Sequence, residues 1–595
     1  MRILILVTSF LFIIQPVSSQ QLQKAELLSQ TLKVSMEAER AAAVAIAREQ
    51  GFPVRVETRE GVITELQAME HGRPLYYVTH NAKAAETIST DKVWTQGILG
   101  YPLSGNAITL GMWEGGAVYP DHNEFAGRIT PGDGSSNITD HATHTAGTLI
   151  AAGIRDKARG MAFKARLRSF DWNSDLAEMA AQAAVDLTLS NHSYGPQAGW
   201  FYNLFDDDRY VWYGDPSISE TEDYQFGFYL DRARQWDDFT YQVPQYLAVV
   251  SAGNDRSELG PYGAEEHWVY NGSSWELVTA ERERDGGSDD YDSISGFAVA
   301  KNVLTVGAVK PYQNGYSSPD DVLMTAFSCW GPTDDGRIKP DIVADGLGVY
   351  STSKYGPDSY FSRNGTSSAT PSVTGSIALL KEHFDDLFNP VKLPSFLIKA
   401  LVIHTADEAG TAPGPDYQFG WGVMNSARAI DLISMDHATG GGTYIREFTV
   451  QSGQTVEFQI KASGDEPLKA TLCWTDPAGP NMEPALNARD IILINDLDLR
   501  ISGPAENGQE TEYKPWTLDV EDPSRPAVPG DNIRDNVEQI LIADPVAGIY
   551  TVEISVKGSI QGDEQAAGLV LSGNVVSEMQ KPAAPVPTSP ANNAG

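Results

Sequence analysis

The chain has 595 residues, of which 79 are acidic and 43 basic, so its formal net charge is −36. The negative electrostatic field of such a chain repels nucleic acids and anionic membranes, so neither is expected as a partner. A hydrophobic content of 41% argues against a disordered or fibrous protein, and the length allows two or three domains. An acidic surface serves solubility or salt tolerance, and its carboxylates also provide oxygen ligands for calcium.

The first 19 residues, MRILILVTSFLFIIQPVSS, have the arrangement of a secretory signal peptide. Arg2 precedes an apolar run from Ile3 to Ile14, and small residues follow Pro16. This run is too short to span a membrane, and no other stretch approaches the roughly 18 apolar residues that a span requires. The sequence therefore predicts a secreted protein that has no membrane span. We also expect it to be a monomer.

Residues 20–91 are predicted to form a small α+β unit ahead of the main domain. Apolar residues recur at spacings of three and four from residue 20 to about 50, which predicts a helix that ends at Gly51. The next stretch, VRVETREGVITELQAMEHGRPLYYVTH, alternates in the manner of strands joined by turns.

After residue 91, the pattern of apolar and polar residues predicts two larger domains and a tail. In residues 92–437, apolar strands such as LAVVSAG and VLTVGAV alternate with helical stretches such as SDLAEMAAQAAV, which predicts an α/β fold with a parallel sheet flanked by helices. Residues 438–577 contain short alternating strands separated by turn signals, which predicts an all-β sandwich. Residues 578–595 are rich in Pro and Ala and are typical of a linker or tail.

Only two cysteines occur in the chain, Cys329 and Cys473. They could form one disulfide in an oxidising compartment. Each lies beside a Trp in an apolar context and in a different predicted domain, so two buried free thiols are the favoured interpretation.

Four short motifs in the large domain carry chemically capable residues: WEGG at 113–116, DHATHTAGT at 140–148, VVSAGN ending at Asn254, and NGTSSATP at 364–371. Taken singly, each has a plain structural explanation, such as a strand-end acid or a helix cap. Together they supply the carboxylate, imidazole and hydroxyl that hydrolysis by a serine nucleophile needs. The chain contains neither a GxSxG nor an HExxH motif, which argues against an α/β-hydrolase and a zinc peptidase.

These motifs resemble those of the subtilases, the subtilisin-like serine endopeptidases. HATHTAGT is similar to the family's HGTHVAGT, GTSSATPSVTG to its GTSMASPHVAG, and FSCWGPTDDGRIKPDIVADG to its Ser-x-x-Gly-Pro segment. The resemblance covers about residues 92 to 435. It implies a subtilisin-like fold and a secreted endopeptidase that cleaves proteins or peptides through an acyl-enzyme, with no cofactor needed for the chemistry.

By this resemblance, Ser367 is the nucleophile, His141 the general base and Asn254 a donor to the oxyanion, whereas His144 is structural. The backbone of an extended substrate would pair with one strand. The side chain that precedes the scissile bond would be held by the opposite wall of the pocket. The implied substrate-binding residues are Ser193, Tyr194 and Gly195 on the strand, and Ser251, Ala252 and Gly253 on the wall.

Glu114 departs from the family pattern, which has Asp at this position. Glu keeps the negative charge but is longer by one methylene, so its oxygens must be set back, and Gly115 and Gly116 could allow that adjustment. We interpret Glu114 as the acid that orients the imidazole of His141. Two alternatives remain open: a catalytically impaired, subtilase-like binding protein, and an enzyme in which Asp121 replaces Glu114.

The resemblance has implications for the flanking regions too. Residues 20–91 occupy the place of an inhibitory prosegment, and an aromatic, acidic insert from Trp200 to about Pro244 is absent from compact subtilisins. The sandwich is similar to C-terminal β-barrel or jelly-roll domains of extracellular bacterial subtilases, which often bind calcium. Its candidate calcium ligands are Asp476, Asn495, Asp496 and Asp498.

Overall fold

The computed structural model describes residues 19–57, 63–70, 73–79, 85–312, 318–505 and 508–577. The predicted signal peptide, apart from Ser19, and the predicted tail lie outside the described residues, as does part of the region in which a prosegment would be cut. Within the described ranges, every helix is too short or too polar to cross a bilayer.

The N-terminal unit consists of one long helix and three antiparallel strands, as predicted from the sequence. These elements are α1 (Ser19–Gln50), β1 (Arg55–Glu57), β2 (Ile63–Glu70) and β3 (Arg73–Thr79). The helix ends where Gly51 adopts a φ of +80°, which a residue with a side chain rarely tolerates.

The elements of the large domain follow in chain order. They are β4 (Thr109–Glu114), β5 (Ile129–Pro131), α2 (Asp140–Ile150), β6 (Arg166–Asp171), α3 (Asp175–Ala183), β7 (Leu189–His192), β8 (Tyr194–Pro196), β9 (Trp200–Tyr202), β10 (Tyr210–Trp212), α4 (Asp231–Gln242), β11 (Leu247–Ser251), β12 (His267–Tyr270), β13 (Trp275–Val278), β14 (Leu304–Val309), β15 (Ile342–Asp345), β16 (Leu347–Thr352), β17 (Tyr360–Asn364), α5 (Thr366–Phe388), α6 (Ser395–Thr405) and α7 (Ser426–Ala438).

The predicted parallel sheet is confirmed, with seven strands in the order β15-β14-β11-β7-β4-β6-β5. The strands β7, β11, β14 and β15 are buried along their whole length, as expected for a sheet covered by helices on both faces. Helix α5 packs across the central strands. The carboxyl ends of β4 and β11 therefore lie at the same edge of the sheet as the start of α5, where ligands bind in open α/β folds.

The insert forms a separate four-stranded sheet in the order β13-β12-β10-β9. It is larger than the sequence indicated, because β12 and β13 come from beyond Asn254, whereas the predicted insert stopped near Pro244. The two halves are joined by parallel pairing of β10 with β12, in which Val211 lies opposite Trp268.

The C-terminal region contains two antiparallel sheets, in agreement with the predicted β domain. Its strands are β18 (Ile445–Val450), β19 (Thr455–Ala462), β20 (Leu468–Trp474), β21 (Asp496–Pro504), β22 (Glu510–Tyr513), β23 (Trp516–Thr517), β24 (Val528–Pro529), β25 (Val537–Ile542), β26 (Gly548–Lys557), β27 (Gln565–Ser572) and β28 (Val575–Ser577). The orders are β18-β27-β20-β25 and β22-β21-β26-β19-β28. Helix α6 packs against β20 and β27. Cys329 and Cys473 are both buried and free, so the prediction of two unpaired thiols is confirmed.

Candidate active site

Two backbone hydrogen bonds hold the end of β4 against the start of α2. The Ala117 N–H donates to Asn137 O (2.9 Å), and the Thr139 N–H donates to Ala117 O (3.0 Å). Gly116 is required at this approach, because its φ is +154° and a Cβ there would lie 2.5 Å from Asn137 O. Thr139 then caps α2 by accepting a bond from the Ala142 N–H. The last residue of β4 and the first turn of α2 are thereby fixed next to each other.

This arrangement brings Glu114 and His141 into contact. His141 Nδ1 lies 2.7 Å from Glu114 Oε2, and both side chains are almost fully buried. The same oxygen accepts a bond from the N–H of Gly115 (3.2 Å). Glu114 Oε1 has no hydrogen-bond partner among the described residues. Oε2 is thus the oxygen that bonds the imidazole, and this bond fixes the tautomer in which Nε2 is the acceptor.

Ser367 lies in the first turn of α5, on the other side of His141. Gly365, with a φ of +146°, precedes the helix and allows the chain to turn into it from β17. Ser367 Oγ is 3.3 Å from His141 Nε2, and Ser193 Oγ donates to the carbonyl of Ser367 (2.7 Å). The hydroxyl faces the imidazole, and the helix N-terminus directs its dipole at the same point.

Asn254 lies three residues after the end of β11 and faces the N-terminus of α5. Its Oδ1 accepts bonds from the N–H of Thr366 (2.9 Å) and from the Thr366 hydroxyl (3.0 Å). Because the oxygen is committed to Thr366, Nδ2 is the part of the amide that can donate to a ligand. The N–H of Ser367, in the first turn of the helix, is directed the same way because no helical carbonyl precedes it.

The two predicted substrate walls flank the nucleophile. Ser193 contacts Ser367 directly, and the Gly253 N–H donates to the Thr366 hydroxyl (3.3 Å). Ala252 continues the sheet by donating to Val306 O (3.0 Å), and Ser251 ends β11. Behind Gly253 lie Cys329 and Asp255, whose buried carboxyl has a pKa raised to about 7 by desolvation.

The predicted substrate strand, whose residues Tyr194 and Gly195 belong to β8, is paired with the N-terminal unit. Strand β3 pairs antiparallel with β8, so Val78 lies opposite Gly195 and Thr79 opposite Tyr194. Tyr194 turns its hydroxyl inward to Asp175 (2.9 Å) and contributes its backbone to the pairing. A segment of this chain therefore occupies the edge where a substrate would bind by strand addition.

The other sequence candidates near the site have different roles in the structure. Burial lowers the pKa of His144 to about 3, so this imidazole is neutral and donates from Nε2 to Val349 O (3.1 Å). Asp121 is exposed, and the Nδ1 of His141 is bonded to Glu114. The structure brings Glu114, His141, Ser367 and Asn254 together and leaves Asp121 outside.

The predicted calcium ligands are engaged by other groups. The buried Asp476 pairs with Lys301 and accepts the N–H groups of Ile494 (2.9 Å) and Asn495 (2.7 Å). The amide of Asn495 bonds Gln565 and Gln561. Asp496 and Asp498 both face Lys557, and Asp498 also pairs with Arg500. These side chains do not fit a shared calcium site. Within the part of the chain that the structure describes, no group of three or more His, Cys, Asp or Glu could hold a metal ion.

Several supporting residues escaped the sequence reasoning. Thr366 orients Asn254, Asn191 donates to Ser193 (3.0 Å), and Arg55 of the N-terminal unit donates to Gly115 O (2.7 Å). Thr366 adjoins the nucleophile in GTSSAT, so the motif itself could have indicated it. Asn191 and Arg55 act across the fold, and no local signal marks them.

Comparisons with known proteins agree with this geometry. Residues 113–422, more than half of the chain, match the family model Peptidase_S8, described as the Subtilase family. The serine protease/ABC transporter B family protein tagD of Dictyostelium discoideum is 24% identical over 475 residues, which are 62% of this chain and 25% of tagD. The serine protease AprX of Bacillus subtilis (strain 168) is 36% identical over 111 residues, which are 16% of this chain and 24% of AprX.

The chain thus spans about a quarter of the length of these relatives. Among solved structures, the self-cleaved protease domain of PatA is 17% identical with a TM-score of 0.37, and the match covers 57% of this chain and all of that one. The family model includes Glu114, His141, Asn254 and Ser367 in a single match. With this match and the seven-stranded parallel sheet, the chain belongs to the subtilase family.

Proposed function

We propose that this protein is a serine endopeptidase in which Ser367, His141 and Glu114 form the catalytic triad. The observation that supports this proposal is the pair of hydrogen bonds that link Glu114 to His141 and His141 to Ser367. Ser367 Oγ attacks the carbonyl carbon of the scissile bond while His141 Nε2 takes its proton. Glu114 accepts the bond from Nδ1–H and stabilises the imidazolium that forms.

The next steps follow from the same geometry. The oxyanion of the tetrahedral intermediate receives bonds from Asn254 Nδ2 and from the N–H of Ser367. The imidazolium returns its proton to the leaving amine, and the acyl group stays on Ser367. A water molecule, activated by the same imidazole, then hydrolyses the acyl-enzyme.

We assign the N-terminal unit as an inhibitory prosegment, and we expect the chain to be secreted. The pairing of β3 with β8 supports the first assignment, because the unit covers the substrate edge beside Ser367. The contact of Arg55 with Gly115 extends the cover to the strand that carries Glu114. The arrangement at residues 1–19 supports secretion.

A fluorophosphonate probe tests the proposal because it reacts only with an activated serine. The processed enzyme should label once per chain and hydrolyse casein, and Ser367→Ala should abolish both. Ser372→Ala is the matched control, because this hydroxyl lies one turn along α5 and bonds its own helix at Ser368 O (2.9 Å). An unlabelled wild-type enzyme with native thermal unfolding would instead favour an impaired binding protein.

A further inference from the structure

The insert sheet continues the edge on which β3 lies. Beyond the ladder of β3 with β8, the Gln197 N–H donates to Tyr76 O (2.6 Å), and the chain then enters the insert at β9. Two residues of β3 that precede this ladder, Tyr76 and Arg73, contact the insert.

The first contact is an aromatic slot for Tyr76. This side chain is fully buried, and its ring packs edge to face on Tyr213 at a centroid distance of 5.9 Å. Leu204 and Val211 of the insert belong to the same buried cluster, as do Phe52 and Leu66 of the N-terminal unit. The insert thus supplies one face of the slot, on which a flat, apolar side chain of a strand paired with β8 can pack.

The second contact is a cation site for Arg73, three residues upstream of Tyr76. Its guanidinium donates to the carbonyls of Tyr213 (3.3 Å) and Gly214 (2.5 Å), pairs with Asp215 (3.2 Å) and lies over the Tyr270 ring at 5.6 Å. Arg73 is only 7% exposed. Two carbonyls and a carboxylate that face one partly buried position favour a cation there, although Ser217 also donates its N–H and its hydroxyl to Asp215.

The register connects both contacts to the nucleophile. Tyr77 lies opposite Pro196, Val78 opposite Gly195 and Thr79 opposite Tyr194. The next residue of any peptide in this register would lie opposite Ser193, whose hydroxyl bonds the carbonyl of Ser367. The insert therefore contacts side chains at defined distances before the bond that Ser367 would attack.

We propose that, after the N-terminal unit leaves, the insert binds protein substrates through its own part of these two sites, the Tyr213 face and the acceptors around Asp215. The preferred substrate segment has an arginine, an aromatic residue three positions later, and the cleaved bond shortly beyond. The inference rests on the proposed peptidase function and adds a substrate class to it. Removal of the unit would also expose the aromatic face made by Phe201, Phe205 and Tyr213, and an exposed apolar patch of this kind marks a binding surface.

Internally quenched peptides test the proposal on the processed enzyme. The parent peptide is RPLYYVTHNAK, the chain's own sequence from Arg73 to Lys83. Replacing its Tyr76 equivalent by Ala, or its Arg73 equivalent by Gln, should each lower kcat/KM about tenfold, mainly through KM. The truncated peptide YVTHNAK lacks both groups and should be cleaved most slowly. Equal kcat/KM for all four peptides would overturn the inference.

Protein variants provide the second arm. Asp215→Asn should reduce the ratio of kcat/KM between the parent peptide and its Gln analogue from about ten to near one. Glu276→Gln removes the same charge from an exposed position on β13 and should keep the ratio of the wild type. An unchanged ratio in Asp215→Asn would show that Asp215 only anchors the prosegment.

Active-site titration separates the two levels of failure. Concentrations of active enzyme come from fluorophosphonate labelling, so a variant that folds poorly changes the titre and leaves the ratio intact. If YVTHNAK and the parent peptide both resist cleavage by a native, processed protein, the peptidase function itself is wrong. If both are cleaved equally well, only the substrate inference is wrong.

Discussion

Two buried carboxylates in this molecule have opposite environments. Glu114 faces the imidazole of His141 and keeps one oxygen without a partner among the described residues. Asp476, in the C-terminal region, faces the ammonium of Lys301, and its two oxygens also accept two backbone N–H groups. Both acids are fully buried. The partner, and not the burial, therefore distinguishes a carboxylate that can serve chemistry from one that serves structure.

The difference follows from what each partner can do. An imidazole bonded at Nδ1 still presents Nε2 to a third group. The Lys301 ammonium has three donors, and all are used, on Asp476 and on the carbonyls of Pro477 (2.6 Å) and Ile492 (2.9 Å). In the proposed mechanism the Glu114 pair assists the transfer of the Ser367 proton, whereas the Asp476 pair joins the large domain to the C-terminal region.

The largest expected effect comes from removing the charge of Glu114. Glu114→Gln keeps the size of the side chain, but its amide can present a donor to His141 Nδ1 and favour the wrong tautomer. Turnover of a peptide substrate should fall about 10⁴-fold, as for the equivalent change in a serine protease triad. Near wild-type turnover would remove Glu114 from the triad.

Two further variants control this result. Asp121→Asn changes an exposed acid seven positions along the chain and should leave turnover unchanged. Glu114→Asp keeps the charge but shortens the reach to His141, so its turnover should stay within about 100-fold of the wild type.

The Asp476 pair should matter for stability instead of turnover. Lys301→Met leaves an uncompensated buried carboxylate and should lower the free energy of unfolding by about 3–5 kcal/mol, measured by urea denaturation. The double variant Lys301→Met, Asp476→Asn removes both charges and keeps an amide oxygen for the backbone N–H groups, so it should recover part of the loss. A chelator should not change the difference between wild type and variant, because an ammonium and not a metal neutralises Asp476.

Asn254→Ala tests the oxyanion donor with a smaller expected effect. Loss of one such donor costs about 10²–10³ in kcat. The KM should change little, because the bond from Nδ2 forms only as charge develops on the substrate oxygen. A rise in KM at constant kcat would instead assign Asn254 to substrate binding.

The sequence predicted the parallel sheet and the residues around Ser367 because both are encoded locally. Each motif combines a strand end or a helix start with the small residues that the turn needs, as Gly116 and Gly365 show. The partner of Asp476 was not predictable in this way. Lys301 lies 175 positions earlier in the chain, so nothing near Asp476 in the sequence indicates an ammonium as its partner.

The insert failed to be predicted in full for a related reason. Its sheet depends on the pairing of Val211 with Trp268 across α4 and β11, and nothing local indicates that the two segments meet. Arg55 and Asn191 likewise support the site only after the chain has folded. What remains hidden in the sequence is the set of contacts between distant segments.

The smallest expected effect concerns a third carboxylate, the half-buried Glu178, whose partner carries no charge. It accepts a bond from the indole of Trp113 (2.9 Å), the residue before Glu114 in β4, and burial raises its pKa from 4.5 to about 9. Between those values the unfolded chain ionises this carboxyl while the folded protein keeps it protonated. Its contribution to stability therefore falls as the pH rises through this window.

Glu178→Gln should remove this pH dependence, because the amide cannot ionise and its oxygen can still accept the indole N–H. Thermal unfolding temperatures of wild type and variant should agree near pH 4.5 and diverge in favour of the variant towards pH 9. Glu222→Gln is a control, since it replaces another half-buried acid whose pKa is raised less, and its divergence should be smaller. Parallel curves for the wild type and Glu178→Gln across the window would mean that Glu178 ionises normally, and that an indole partner is enough to hold a charged carboxylate beside the active site.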